Sequence, residues 1–62
     1  MSNITGQELN IIKYQMESEL TTIKKYKMYS SICTDPQLKT KFEQIASKHQ
    51  KHFTALLNLL ES

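Results

Sequence analysis

The chain has 62 residues and a net charge of +2 at pH 7, and all eight of its basic residues are lysines. A chain this short forms one domain at most and buries only roughly 60% of the surface that its unfolded form exposes. Because arginine, the usual bidentate reader of guanine and phosphate, is missing, we expect no nucleic-acid partner. No apolar run has the length that spans a bilayer, so we also expect no membrane partner.

Like its small size, the cysteine content of the chain indicates that one copy alone has little to stabilise its fold. Cys33 is the only cysteine, so neither a disulfide framework nor a zinc-type cysteine pair supports the fold. Residues 1–4 lack the basic segment and the apolar core of a signal peptide, and we expect a protein kept in a reducing compartment. A small helical chain without disulfides or a structural zinc site usually completes its core with another copy of itself. We therefore expect a homo-oligomer.

The first predicted helix begins after a capping box, Thr5–Gly6–Gln7–Glu8, in which Thr and Glu satisfy each other's free backbone amides. From Leu9 onward, mostly apolar residues recur in alternating steps of three and four and form one line along the helix, which we term its seam. This spacing is typical of a helix packed nearly parallel or antiparallel to a neighbour. No helix-breaking residue occurs within this stretch before Cys33, so we predict a helix over about residues 6–33. Its seam consists of Leu9, Ile12, Met16, Glu19, Ile23, Tyr26, Ser30 and Cys33.

A turn at residues 34–35 precedes Pro36, which suits the first turn of a second helix over residues 36–61. The conformational restriction on the residue before proline favours Asp35 as the N-cap, whereas the spacing from Thr34 to Gln37 favours Thr34. Both alternatives give a tight turn. The second seam consists of Leu38, Phe42, Ile45, His49, His52, Leu56 and Leu59.

The short turn makes the two helices antiparallel neighbours, in which facing residues have numbers that add up to about 68. This register places Glu19 opposite His49 and Met16 opposite His52. The other predicted pairs are Leu9 with Leu59, Ile12 with Leu56, Ile23 with Ile45, Tyr26 with Phe42, and Ser30 with Leu38.

Apolar residues also extend beside each seam, and one hairpin would leave them in water at a cost of about 25 cal/mol per Å². We therefore predict an all-α protein, an antiparallel helical hairpin that dimerises into a four-helix bundle. The predicted core and dimer residues are Leu9, Ile12, Met16, Leu20, Ile23, Tyr26, Phe42, Ile45, Phe53, Leu56, Leu57 and Leu60.

Several segments of the chain resemble a known family. Ser18–Leu20, Ile23–Tyr29, Cys33–Ala46 and His49–Phe53 resemble small ferritin-like proteins of spore-forming bacteria, labelled spore coat proteins of the coat F type. The resemblance covers residues 8–60. It implies a ferritin-like bundle that acts in sporulation as a structural protein, synthesised in the mother cell, deposited in the spore coat and partnered there by other coat proteins.

Ferritin-like di-metal bundles place a Glu on one helix, often with a Tyr seven residues later, and a Glu-x-x-His pair on the next helix. Glu19 and Tyr26 match the first part of this pattern. In the second part His49 stands where the Glu is expected, and His52 matches the His. The resemblance thus implies a degenerate di-metal site that has lost one carboxylate.

The residues themselves leave two interpretations of Glu19, His49 and His52 open. Imidazole nitrogens and a carboxylate suit zinc or a late first-row metal such as iron, and His residues at i and i+3 share a helix face. Alternatively, a buried Glu–His pair only fixes the register of the helices.

We expect a structural or assembly protein and not an enzyme, with a ferritin-like metal-binding protein as the alternative. A third hypothesis, a regulatory hairpin that docks on a signalling protein, requires an exposed apolar groove in the assembled dimer, and solvent-exposed Phe53 and Leu57 would favour it. Cys33 is expected to be a free, partly buried thiol, or else an intermolecular disulfide formed during coat assembly. The side chains of Tyr14, Tyr26 and Tyr29 are expected to pack in the core or at its rim, with oxidative cross-linking as the alternative.

Overall fold

A computed structural model describes residues 3–62, which form two α-helices, α1 (Gly6–Ile32) and α2 (Pro36–Glu61). The described part of the chain contains no strand, in agreement with the predicted helical hairpin. Its Cα atoms span 47 × 16 × 10 Å, so the hairpin is a slab one helix thick with two broad faces. Met1 and Ser2, which begin the segment predicted not to be a signal peptide, lie outside the described residues.

The start of α1 confirms the predicted capping box. Thr5 Oγ1 accepts a hydrogen bond from the Glu8 amide at 3.0 Å, and the Glu8 carboxylate accepts one from the Thr5 amide at 2.9 Å. The hydrogen bonds to Thr5 lower the pKa of Glu8. Two amides that the first turn of a helix leaves without a backbone partner are thus satisfied.

Helix α1 ends at Ile32, next to the predicted end at about residue 33. Cys33 is the C-cap and has extended dihedral angles, φ −73° and ψ 135°, while its amide still donates to the Tyr29 carbonyl at 3.1 Å. The extended residue stops the helix because it cannot continue the α-helical backbone. The Cys33 side chain is partly buried at this turn.

Of the two N-caps that the sequence allows for α2, the structure contains Asp35 and not Thr34. The Asp35 carboxylate accepts a hydrogen bond from the Leu38 amide at 2.8 Å. Asp35 has φ −74° and ψ 121°, the extended conformation that proline imposes on the residue before it. The restriction from Pro36 therefore decides between the two caps.

The predicted register is confirmed at two levels of the hairpin. His49 Nδ1 lies 2.8 Å from Glu19 Oε2, and the rings of Tyr26 and Phe42 have centroids 5.7 Å apart. Both pairs lie opposite each other as the antiparallel alignment requires.

Near the turn, Ser30 makes different contacts from the predicted pairing with Leu38. The buried Ser30 hydroxyl donates to the Glu43 carboxylate at 3.2 Å, and Lys39 Nζ donates to the Ser30 carbonyl at 2.9 Å. Leu38 is exposed. Because the last carbonyls of a helix lack intrahelical donors, polar residues of α2 approach α1 here in place of an apolar contact.

The hairpin has a thin core. Among the described residues only Ile23 and Ala46 are buried apolar residues, and no large side chain is completely buried. Two of the predicted core and dimer residues, Leu9 and Leu20, are 44% and 39% exposed in the single hairpin. Of the remaining ten, Ile23 is buried and nine are half-buried: Ile12, Met16, Tyr26, Phe42, Ile45, Phe53, Leu56, Leu57 and Leu60.

Candidate metal site

The hairpin brings Glu19 of α1 together with His49 and His52 of α2. Glu19 lies near the middle of α1 and is only 7% exposed, although glutamate is a residue that normally faces water. The two histidines are three residues apart, so their side chains lie on one face of α2. His49 is half-buried and His52 is exposed, which leaves the group open to solvent on one side.

The two oxygens of the Glu19 carboxylate have different partners. Oε2 accepts a hydrogen bond from His49 Nδ1 at 2.8 Å and lies 3.5 Å from His52 Nδ1. Oε1 accepts one from the side-chain amide of Gln15 at 3.2 Å. Each oxygen of this buried carboxylate therefore has a partner, as buried polar groups require.

The surroundings of Glu19 stabilise its charged form. The hydrogen bond from His49 holds the pKa of the Glu19 carboxyl below its ordinary value, an effect that burial opposes. The hydrogen bond from Gln15 and the electrostatic interaction with the two imidazoles lower the pKa of Glu19 further. Glu19 is thus ionised at neutral pH, which is the form that accepts hydrogen bonds or binds a cation.

One potential ligand atom from each of the three residues lies within 4.8 Å of the others. Around a tetrahedral zinc ion with bonds of 2.0–2.2 Å, ligand atoms lie roughly 3.4 Å apart. The 3.5 Å between Glu19 and His52 has this spacing, whereas the 2.8 Å between Glu19 and His49 is a direct hydrogen bond that must lengthen. Two imidazoles and one carboxylate would leave a fourth position for water, as in open zinc sites.

Aromatic rings lie on two sides of the His49 side chain. The Tyr26 ring is stacked on the His49 imidazole, with centroids 6.5 Å apart and planes 5° apart. The His52 ring is perpendicular to that of His49 at 5.3 Å. Tyr26 also contacts Tyr29 edge to face and lies against Phe42. Tyr26 was predicted as a packing residue, and it packs directly on a ring of the candidate site.

Sequence reasoning missed the part played by Gln15. Gln15 precedes Glu19 by four residues, a spacing that places two side chains next to each other on a helix. That spacing was a usable signal. The polar cluster of Ser30, Lys39 and Glu43 was also missed, because the register pairs Ser30 with Leu38 and the long side chains of Lys39 and Glu43 reach Ser30 from neighbouring positions.

Comparisons of this chain with protein-family models, with curated proteins and with solved structures found no match. The resemblance to coat F-type proteins therefore depends only on the segments quoted above and stays a prediction. Neither helix of residues 3–62 has a stretch long and apolar enough to cross a membrane.

Proposed function

We propose that the chain is a structural subunit whose hairpins pair face to face into a homodimeric four-helix bundle. The thin core carries this proposal, because among the described residues one hairpin buries only two apolar residues, Ile23 and Ala46. Exposed apolar surface costs about 25 cal/mol per Å². A second hairpin laid on one broad face removes much of this surface from water, and the slab shape suits such packing.

The proposed dimer face lies on one side of the groove between the helices. At about 100° per residue, Leu9 and Leu20 lie on the same flank of α1, close to its contact with α2. Phe53 and Leu57 lie on the corresponding flank of α2. Because the helices are antiparallel, these two flanks form one broad face of the slab, and Leu59 lies on the other face.

The resemblance to coat F-type spore proteins supports the same kind of function. A coat protein contributes bulk and interfaces and needs no catalytic group. We propose that the bundle is a building block of a spore coat, with further coat proteins or further copies as its partners.

Mass in solution, measured by sedimentation equilibrium, tests the dimer. We expect at least twice the 7.2 kDa of one chain, and the double variant Leu20→Lys, Leu57→Lys should lose the bundle contact and at least half of that mass, because lysine ammonium groups cannot enter the interface without a partner. Leu59→Lys is the matched control, since Leu59 is 45% exposed and lies on the opposite face. A monomeric wild type, or a control that dissociates as fully as the double variant, would contradict the proposal.

A second proposed function, divalent-metal binding, is favoured by the grouping of Glu19, His49 and His52 within 4.8 Å. Two imidazole nitrogens and a carboxylate suit zinc, and iron(II) is the second candidate. The buried Glu19–His49 hydrogen bond can also serve only to fix the register, so binding must be measured directly.

Calorimetric titration with zinc or iron(II), together with elemental analysis of untagged protein, separates these two roles. Metal binding predicts about one ion per hairpin, with a large loss of affinity in His52→Ala. Glu19→Ala removes the carboxylate ligand. Glu17→Ala is its control, because Glu17 is an exposed carboxylate on the same helix. If neither metal binds, Glu19, His49 and His52 form a hydrogen-bonded polar layer and no metal site.

The third hypothesis receives no support from the single hairpin. Phe53 and Leu57, whose exposure would favour a regulatory hairpin that docks on a signalling protein, are half-buried. The proposed dimer covers both of them further.

A further inference from the structure

The four most exposed large apolar side chains of the described hairpin all belong to α1. They are Ile11 (60%), Tyr14 (64%), Met28 (54%) and Ile32 (71%). Each is more exposed than Leu9, Leu20, Leu38 or Leu59, the other large apolar side chains that are open to solvent. Surface leucines and isoleucines scattered singly need no explanation, so the arrangement of these four decides what they mean.

These side chains belong to a second seam on α1, which we term the outer seam. Its positions alternate in steps of three and four along almost the whole helix, which is the spacing of a helix that packs along a second helix. The central position, Thr21, lies about 160° around α1 from Glu19, so the outer seam faces away from α2. The outer seam consists of Ile11, Tyr14, Ser18, Thr21, Lys25, Met28 and Ile32.

The outer seam is complementary to itself in the antiparallel direction. A two-fold axis near Thr21 pairs residues whose numbers add up to about 43, as in any isologous interface. Ile11 then faces Ile32 of the second copy, and Tyr14 faces Met28. A parallel arrangement would instead place Lys25 against Lys25 in the seam, where like charges repel each other.

The central part of the seam is polar in the same symmetric way. The antiparallel arrangement places Ser18 opposite Lys25 of the second copy and Thr21 close to its own counterpart at the axis. Apolar positions at both ends thus meet apolar positions, and polar positions at the centre meet polar positions.

Charges beside the outer seam complement each other in the same alignment. Glu17 and Lys24 lie on one flank of the seam and are exposed. When two copies of α1 pair in opposite directions, these flanks lie side by side, and Glu17 of each copy lies near Lys24 of the other. The two symmetric ion pairs favour the antiparallel register and steer its formation, although exposed pairs add little affinity.

A recess at one end of the outer seam provides space for a side chain of the second copy. Ile4, Glu8, Ile11 and Ile12 line this shallow groove at the start of α1. In the proposed register, Ile32 of the second copy lies at the level of Ile11, beside the groove. Ile32 is the most exposed of the four apolar residues, and the groove of the second copy would cover it in this register.

We propose that the outer seam of α1 binds the outer seam of a second copy of this chain, antiparallel and across a two-fold axis near Thr21. This contact is separate from the dimer face of Leu9, Leu20, Phe53 and Leu57. Together with the proposed bundle it gives every chain two different two-fold interfaces, which link dimers into a closed tetramer or an extended array. The step from pairing to larger assemblies rests on the proposed assembly function, whereas the α1–α1 contact itself does not.

Disulfide trapping tests the geometry of the contact. In a Cys33→Ser background, Thr21→Cys places two thiols next to the axis, within the distance that a disulfide spans. Ser47→Cys is the matched control, because Ser47 is exposed on the far side of α2 and away from both interfaces. We expect mild oxidation to cross-link Thr21→Cys chains in pairs at low micromolar concentration. Equal cross-linking of the two variants, or none with Thr21→Cys, overturns the proposal.

Mass measurements with two sets of variants separate this contact from the four-helix bundle. Ile11→Glu, Ile32→Glu should reduce the largest species to a dimer and weaken the α1–α1 contact by ~100-fold or more, since buried apolar anchors dominate interface affinity. Leu20→Lys, Leu57→Lys should dissociate the bundle and leave the Thr21→Cys cross-link intact. Circular dichroism verifies that both variants stay helical. An unchanged mass for Ile11→Glu, Ile32→Glu overturns the proposed contact and leaves the bundle untouched.

Discussion

The two helices have similar lengths but distribute their apolar residues differently. In α2 the large apolar side chains are confined to the face that packs on α1 and to its flanks, whereas in α1 they also occupy the outer seam on the opposite side. A helix with one apolar stripe has one neighbour to pack against, and a helix with two stripes has surface for a second. This difference is the reason that we propose a second contact with further copies through α1 and not through α2.

The polar residues that lie between the helices also come unequally from α1 and α2. Helix α1 contributes one buried carboxylate, Glu19, to the layer between the helices, and α2 contributes the two histidines beside it. The inner face of α1 is therefore fixed to α2 by a directional hydrogen bond as well as by apolar packing. Its outer face has no such partner within the single hairpin.

The largest difference between the two faces of α1 should appear in an isoleucine pair. Ile23→Ala removes a side chain that is 4% exposed against α2 and should lower the free energy of unfolding by about 2–4 kcal/mol. Ile32→Ala removes one that is 71% exposed and should change it by at most about 0.5 kcal/mol. Urea unfolding followed by circular dichroism measures both.

Both variants must be compared at one low protein concentration, because association stabilises the folded chain. Dilution below the range in which the outer seam pairs should leave the cost of Ile23→Ala unchanged. If Ile32→Ala remains as costly as Ile23→Ala after dilution, the outer face of α1 packs within the single hairpin and the comparison fails.

The second prediction concerns the hydrogen bond between the helices. His49→Ala leaves the Glu19 carboxylate without its 2.8 Å partner and should cost about 1–3 kcal/mol of unfolding free energy. Breaking a fully buried charged pair costs about 3–5 kcal/mol. The lower range follows because His49 is half-buried and because Gln15 and His52 stay close to Glu19.

A double-mutant cycle isolates this interaction from the packing of the imidazole on Tyr26. If the hydrogen bond dominates, His49→Ala should cost much less in a Glu19→Leu background, which has no acceptor for the imidazole, than in the wild type. Equal costs in both backgrounds would mean that packing on the Tyr26 ring accounts for the contribution of His49.

The sequence contains most of the information that determines the hairpin. Thr5 and Glu8 have the spacing of a capping box, Pro36 restricts the residue before it, and the three–four steps of both seams give the register that joins Glu19 to His49. These are local signals whose physical basis is short-ranged. The contacts of Ser30 were not predictable, because lysine and glutamate side chains are long enough to reach past the position that a register assigns to them.

The candidate site was predictable in its members and not in its geometry. Spacing and register place Glu19 near two histidines, but the 2.8 Å contact with one and the 3.5 Å separation from the other depend on rotamers. The stacking of Tyr26 on His49 depends on rotamers as well. The four-helix bundle remains a prediction, because the structure describes one chain.

The third prediction uses the lowered pKa of Glu19. A carboxyl group whose pKa is lower in the folded than in the unfolded chain stabilises the fold at pH values above its unfolded pKa. The ordinary value is 4.5, and the hydrogen bond from His49 lowers it in the hairpin. This contribution is therefore complete above that value and is lost as the pH falls through the folded pKa.

Acid titrations of the wild type and Glu19→Gln, followed by circular dichroism with EDTA present, measure this effect. As the pH falls below about 5, the wild type should lose stability more steeply than the variant, which has no carboxyl group at this position. Both imidazoles next to Glu19 are present in both proteins, so the difference between the two curves reports the carboxylate. Parallel curves would show that the hydrogen bond to His49 contributes no pH dependence.

The smallest predicted effect compares the N-terminal caps of the two helices. Asp35→Ala removes the side chain that accepts the Leu38 amide and should cost about 1 kcal/mol of global unfolding free energy. Asp35 lies in the turn that joins the helices, so α2 cannot fray at this end without separating from α1.

Thr5→Ala removes a cap at the free end of α1, where the first turn can open without the rest of the hairpin. We therefore expect Thr5→Ala to raise amide hydrogen exchange in the first turn of α1 and to change global unfolding less than Asp35→Ala does. Asp35→Asn and Thr5→Ser retain a capping oxygen and are the controls. If Thr5→Ala lowers global stability as much as Asp35→Ala, the start of α1 is held by a contact outside the single hairpin. The groove of Ile4, Ile11 and Ile12 beside it, proposed to cover Ile32 of a second copy, is where such a contact would form.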